Sequence, residues 1–383
     1  MAAFSLSAAA QTHYAPMLQY VEEHNPALQA AAQQSAAQQA AVHAGALIAD
    51  PDVDAAYYWG SPNEIGIRWD LSVSQSFEMP SVLVRRARLR RLQDSAATIS
   101  YAVARNSLLY ETQQVCADLI YYRSVANIWD SRTSTAAQLS RLYRQRLDAG
   151  DCSILDYNRV QMMLAEVQRA AAEAVLNASH TNTELNILTG GHAAEFMQTA
   201  YDTIVLPLNF ADWYEQLEMR NPALRQLDNA SGLSQQQLRL ARSQWLPQAS
   251  VGYASENVVG ETFRGVTVGL TLPIWSQQRS VRAARLQADA AAQELAAQRT
   301  QLYAHLECLF HHLYALRLNL DNLRAAYGQC NSLDLLDKAL QAGEITLEQY
   351  LQQSDYYVDI QLQICDLARQ YEQAWLQFNA FTL

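Results

Sequence analysis

The sequence is written twice. Asn25-Pro-Ala-Leu28 returns as Asn221-Pro-Ala-Leu224, and Val84-Arg85 with Arg88-Leu89 returns as Val281-Arg282 with Arg285-Leu286. Ala149-Gly150 with Ser153 and Tyr157 returns as Ala342-Gly343 with Thr346 and Tyr350. Three landmarks recur in one order, each about 195 residues on, which marks a duplicated structural unit. The fold must therefore be built from two like parts: repeat one over about 16–190, a joining stretch over 191–220, and repeat two over 221–380.

Each half follows the same plan. A helix starts after Asn-Pro, because proline is tolerated in a first helical turn. Two strands come next. In the first half Ile65, Ile67, Trp69, Leu71 and Val73 alternate with Gly66, Arg68, Asp70, Ser72 and Ser74, and Val53, Ala55, Tyr57 and Trp59 alternate more weakly with their neighbours. In the second half Ala249, Val251 and Tyr253 form one alternating run, and Val266, Val268, Leu270, Leu272 and Ile274 form another. Period two assigns each set to its own face. Trp69, Leu71, Val251, Tyr253, Val268 and Leu270 are thus expected on an apolar face, with Arg68 and Asp70 on the polar one. Each run is close to the roughly 9–11 tilted residues that cross a bilayer as a strand. A soluble sheet packed on a core alternates in the same way, but no neighbouring segment has the shape to cover one.

The rest reads as long helix. Pro80 is followed by neither glycine nor proline until Gly150, so a helix on the order of 100 Å is expected there. A glycine-marked turn and a second long helix follow it. Leu302, Leu306, Leu309, Leu313, Leu316, Leu320 and Leu323 step by fours and threes, as do Tyr357, Ile360, Ile364, Leu367, Tyr371, Ala374 and Phe378. These are heptad seams, and they predict an antiparallel coiled coil. The first half's seam, Leu89, Leu92, Ala96, Ile99 and Val103, is less regular.

Composition excludes several classes. No run reaches the 18 or so apolar residues of a spanning helix. The net charge of −11 argues against a nucleic-acid partner. Five cysteines, Cys116, Cys152, Cys308, Cys330 and Cys365, fit no zinc or disulfide pattern and read as small buried apolar residues. His305, Glu307, Cys308, His311 and His312 crowd one helix, and His305, Cys308 and His312 share a face there. Cys308 also lies beside the leucine seam, however, and a di-iron bundle needs Glu-x-x-His on two helices. With no nucleophile elbow, phosphate loop or paired-acid motif, neither catalytic residues nor a metal or cofactor is expected, and the chain reads as no enzyme. Residues 1–10 read as the tail of a secretory signal with cleavage before Gln11, and no lipobox cysteine stands there to carry a lipid anchor.

Four strands cannot close a barrel, and open edges are not tolerated in lipid. Three chains would bring twelve strands and twelve long helices. Here the chain resembles the TolC-like outer-membrane efflux proteins, from about Pro16 to Phe378. The resemblance rests on the doubled plan, the Asn-Pro-Ala-Leu helix starts and the Ala-Gly-x-x-Ser/Thr turns. It also rests on Leu270-Thr-Leu-Pro-Ile-Trp275 running into Val281-Arg282-Ala-Ala-Arg285-Leu286, a stretch similar to members paired with heavy-metal exporters.

The resemblance implies a mainly α fold with a small transmembrane β part, residues 11–383 forming one elongated channel protomer. It implies a homotrimer whose 12-stranded β-barrel in the outer-membrane lipid continues into a 12-helix α-barrel in the periplasm. It also implies a periplasmic adaptor protein that hands over small molecules or metal ions from an inner-membrane transporter. The adaptor-docking tip would comprise Leu147, Ala149, Gly150 and Ser153 with Leu340, Ala342, Gly343 and Thr346. The gate would hold Asp156 and Arg159, while Gln349 and Gln352 stand where an acidic pair is usual. Two other roles fit the same residues: the exit duct of a type I protein secretion system, and a soluble helical coiled-coil scaffold.

Overall fold

The computed structural model describes residues 14–44, 49–61, 66–192, 195–273, 277–330 and 333–380. The signal-like segment 1–10, Ile65, Ile274 and Trp275 lie outside the described residues. In chain order the elements are α1 (Ala15–His24), α2 (Pro26–Ala44), β1 (Asp52–Trp59), β2 (Ile67–Phe77), α3 (Pro80–Asp148), α4 (Ile154–Leu188), α5 (Phe210–Arg220), α6 (Pro222–Ser243), β3 (Gln248–Val258), β4 (Glu261–Thr271), α7 (Gln277–Cys330), α8 (Leu333–Ala342) and α9 (Leu347–Asn379). The order helix, strand, strand, long helix occurs twice, and α1, α5 and α8 are elements that the sequence reading lacked. α1 and α5 each end directly before an Asn-Pro start, so part of the stretch joining the repeats is itself helix. Buried Asn25 and Asn221 punctuate both junctions. The Asn221 side chain accepts from the N–H groups of Ala223 and Leu224 at 2.8 and 3.3 Å. The Asn25 side chain accepts from the Leu28 N–H at 2.9 Å. Both serve as helix caps, and proline follows where its missing N–H costs nothing.

The chain forms two compact units, and each takes segments from both repeats. One comprises residues 1–29, 104–220 and 303–383; the other comprises 30–103 and 221–302. In the second unit α2 lies along α3, with Ser35 Oγ donating to the Ala97 carbonyl at 3.0 Å and Gln39 Nε2 to Thr98 Oγ1 at 3.0 Å. In the first unit α7 and α9 run antiparallel, as their seams require. Tyr357 Oη donates to the Cys330 carbonyl at 2.8 Å, whereas at the other end Phe378 meets Phe310 at 6.2 Å between ring centroids. Leu306, Leu309, Leu313, Leu316 and Leu320 are all buried along this seam.

The cysteines depart from the expectation. Cys116 alone is fully buried, in a core with Tyr14, Val21, Leu119, Ile120 and Leu185. Burial there pushes its thiol up to about 12. Cys152 and Cys365 are half-buried, and Cys308 and Cys330 are exposed. The α7 face that carries Cys308 turns away from the leucine seam. Among the described residues no group of three or more His, Cys, Asp or Glu is placed to hold a metal.

The same core holds one buried acid. Glu372 of α9 is 2% exposed, and its carboxylate accepts from Tyr14 Oη at 3.0 Å. Burial raises its pKa to about 7, and the nearby Asp202 adds to the rise while the Tyr14 hydrogen bond opposes it. The folded state thus holds this proton more tightly than the unfolded chain does. The resulting stabilisation is complete at acidic pH and fades as pH climbs from the ordinary glutamate range through 7. Glu372→Gln keeps an acceptor for Tyr14 and removes the charge. At pH 8 it should stabilise the protein by about 2–3 kcal/mol, while at pH 4 it should change little. Thermal unfolding of both forms at the two pH values tests this; an equal shift at both would refute it.

Candidate functional site

Two surfaces concentrate the expected functional residues, and each is built differently. The first is the four-stranded antiparallel sheet, in the order β1-β2-β3-β4. Register decides which side chains share a face. Ala55 pairs with Leu71, Tyr57 with Trp69 and Val53 with Val73. Val73 pairs with Tyr253, Tyr253 with Val266, and Val251 with Val268. Trp69, Leu71, Val251, Tyr253, Val268 and Leu270 therefore lie on one face, and all six are exposed. No described element covers this face, and Val268 is 79% exposed. That is a large apolar patch to leave open to water.

The opposite face is polar and organised around Arg68. Its guanidinium donates to Asp70 at 2.9 and 3.0 Å, reaches Glu256 at 3.0 Å and lies 5.6 Å from the Tyr58 ring centroid. Asp70 and Glu256 are cross-strand partners, so the guanidinium bridges two carboxylates that would otherwise repel each other. Gly252 and Gly269 keep this face low: a Cβ on Gly252 would come within 2.7 Å of Thr267 Oγ1 and of the Val73 carbonyl. The β3–β4 hairpin closes in two residues, Val259 and Gly260, with φ of 49° and 91°. That is the type I′ geometry that suits strand twist. Among the described residues β1 and β4 have a strand partner on one side only.

The second surface is the pair of helical hairpin tips in the other unit. α3 ends in a Schellman turn. The Gly150 N–H donates to the Leu147 carbonyl at 3.0 Å and the Asp151 N–H to the Arg146 carbonyl at 2.7 Å. α8 ends identically, through Gly343 to Leu340 at 3.2 Å and Glu344 to Ala339 at 2.9 Å. Both glycines have positive φ, 78° and 75°. Ser153 then caps α4 through the Leu155 N–H at 3.1 Å, and Thr346 caps α9 through the Gln349 N–H at 3.2 Å. The two hairpins share a core of Leu139, Tyr143, Val160, Leu340, Leu347 and Tyr350. Ala149, Gly150, Ala342 and Gly343 stand outside it, exposed, while Leu147 is half-buried.

Beyond the turns, Asp156 sits half-buried in the first turn of α4. Arg159 is exposed and lies 3.7 Å from Glu348 of the neighbouring hairpin. Gln349 is occupied as a cap: its side chain accepts from the Thr346 N–H at 3.0 Å, completing a capping box. Gln352 is exposed. The sequence reading passed over Arg132, whose guanidinium is the buried tie between the hairpins. It donates to Ser354 Oγ at 2.9 Å and to Asp355 at 2.6 Å, across more than two hundred residues of chain. It also passed over Tyr350, which donates to Asp337 at 2.7 Å. Burial and that carboxylate hold the Tyr350 hydroxyl well above its usual pKa.

No protein-family model matches this sequence, and no curated protein matches it. Solved structures do match. The Campylobacter jejuni CmeC outer membrane channel superposes with a TM-score of 0.78 at 17% identity, over 96% of this chain and 85% of that one. The outer membrane protein VceC of Vibrio cholerae gives 0.79 at 13% identity, over 97% of each chain. The outer-membrane channel OprN gives 0.82 at 15% identity, over 96% of this chain and 89% of that one. At such identities the likeness establishes the fold.

Proposed function

We propose, from the TolC-like channel fold that this chain adopts, that three copies form an outer-membrane channel serving as the exit duct of a tripartite efflux pump. The observation that carries this reading is the sheet. Its apolar face is bare, its other face is polar, and its two edge strands have room for partners. Lipid against the apolar face and a neighbouring protomer against each edge satisfy all three at once. Twelve strands then close a barrel with a polar lumen containing Arg68 and Asp70. Small molecules or metal ions would reach it from an inner-membrane transporter through a periplasmic adaptor seated on the hairpin tips. The chain supplies a conduit and docking surfaces, with no chemical step of its own. A soluble scaffold has no use for the bare face, whereas a type I secretion duct would use the same geometry and differ only in cargo. The test is reconstitution of the purified protein in planar bilayers. Discrete conductance steps from a detergent-stable trimer are expected; a water-soluble species with no conductance would overturn the reading.

The gate assignment has its own consequence. Asp156 lies in the first turn of α4, close to the hairpin tip, and a trimer would place three such carboxylates around its axis. A ring of carboxylates favours cation entry. Asp156→Asn should therefore lower cation selectivity and weaken block by multivalent cations, by roughly twofold or more in single-channel recordings. Recordings identical to wild type would remove Asp156 from the gate.

A further inference from the structure

The strands of the sheet carry seven charged residues, and the register divides them unequally. Asp52, Asp54, Arg68, Asp70, Glu256 and Glu261 all fall on the polar face. Arg264 alone falls on the apolar face, paired with Ser255, which in turn pairs with Leu71. Arg264 is exposed, and it makes no hydrogen bond or ion pair with any described residue. All five carboxylates of the strands point the other way.

Its position along the hairpin gives the isolated charge a meaning. From Ala249 to Tyr253 and from Val266 to Leu270 this face of β3 and β4 is apolar. One row nearer the turn the residues become Ser255 and Arg264, and one row further Asn257 and Thr262. Arg264 thus stands where the apolar band of this hairpin ends. On β1 and β2 the adjoining rows are aromatic, Tyr57 with Trp69 and then Trp59 with Ile67. Tryptophan and tyrosine favour the boundary between hydrocarbon and headgroups. An arginine at such a boundary keeps its stem on apolar surface and extends its guanidinium to the polar layer. There the available counter-ion is a lipid phosphate, which a guanidinium can grip with two parallel hydrogen bonds.

We propose that Arg264 is a headgroup site, binding the phosphate of an anionic lipid at the outer rim of the barrel. The proposal rests on the channel reading above, since it needs the apolar face in lipid. The test uses the assembled protein in nanodiscs of phosphatidylcholine alone or with phosphatidylglycerol. Wild type, Arg264→Gln and Arg264→Lys are compared for lipid retained in native mass spectra and for thermal dissociation of the trimer. Wild type should retain phosphatidylglycerol preferentially. Arg264→Gln should lose about fivefold of that preference per site, and Arg264→Lys should keep most of it. Equal preference in wild type and Arg264→Gln would overturn the proposal. So would a loss of trimer stability in Arg264→Gln of the same size in both lipids, which would assign the guanidinium to a neighbouring protomer. Failure of wild type to enter nanodiscs as a trimer would instead overturn the channel reading, and this proposal with it.

Discussion

Val268→Arg is expected to abolish assembly in the membrane, while Thr267→Arg, one residue away, should leave it largely intact. Val268 is in the middle of the apolar band, paired with Val251 and 79% exposed. Thr267 points to the other, polar face, opposite Gly252, and is exposed there. A guanidinium on the lipid face near the midplane costs about 2–4 kcal/mol per copy. In a trimer that cost falls three times, a total comparable with the whole folding stability of a typical domain. Val268 also lies on β4, an edge strand, so its displacement would disturb the strand that must meet a neighbour. The measurement is the yield of heat-resistant trimer in outer-membrane fractions. Equal yields from the two variants would show that the bare face does not meet lipid.

The second large effect is expected at the tips, in export rather than assembly. Ala149 and Ala342 occupy equivalent places, each directly before a glycine that closes a Schellman turn. Both are exposed and outside the shared core of the hairpins. Tryptophan at either site keeps the backbone hydrogen bonds, since the Ala149 N–H still reaches the Gln145 carbonyl at 3.0 Å. It adds a large ring where small residues now let another helix approach. Ala149→Trp or Ala342→Trp should leave trimer yield and membrane insertion near wild type, yet abolish pump-dependent export. Crosslinks from these positions should capture a periplasmic adaptor. Normal export by both assembled variants would refute tip docking. Replacing Gly150 would be a poorer experiment. A side chain there meets nothing within 4 Å, but φ of 78° strains any L-residue, so folding and docking effects would mix.

What the sequence revealed depended on how local the signal was. The sheet faces were legible because alternation and cross-strand pairing have the same period, so Trp69, Leu71 and Val268 could be placed without knowing the register. The tip turns were legible because glycine followed by a hydroxyl cap has one common structural meaning. α1 and α5 were missed because they are short and directly abut longer helices, with only Asn25 and Asn221 between. The capping role of Gln349 was hidden for a related reason: a capping box and a solvated helix position look alike until the hydrogen bonds are seen. Arg132 carried no local signal at all. Its burial is created by Met163, Ser354 and Asp355, which other helices bring to it. Arg264 was in plain view, but its isolation is a property of the register and of the six charges that face elsewhere.

The hydrogen bond from Tyr14 to Glu372 spans 358 positions of sequence. Its unit also requires residues 303–383 to complete the core that residues 1–29 begin. This has a consequence for biosynthesis. Synthesis runs at about 5–20 residues per second, so the first helix waits on the order of half a minute for the last helix of its core. During that interval Met17, Leu18 and Val21 can meet Leu109, Leu119, Ile120 and Leu185, while the α9 side of that core, with Leu376, is still missing. The core can begin in the order of synthesis, but it closes only when Glu372 and Leu376 arrive.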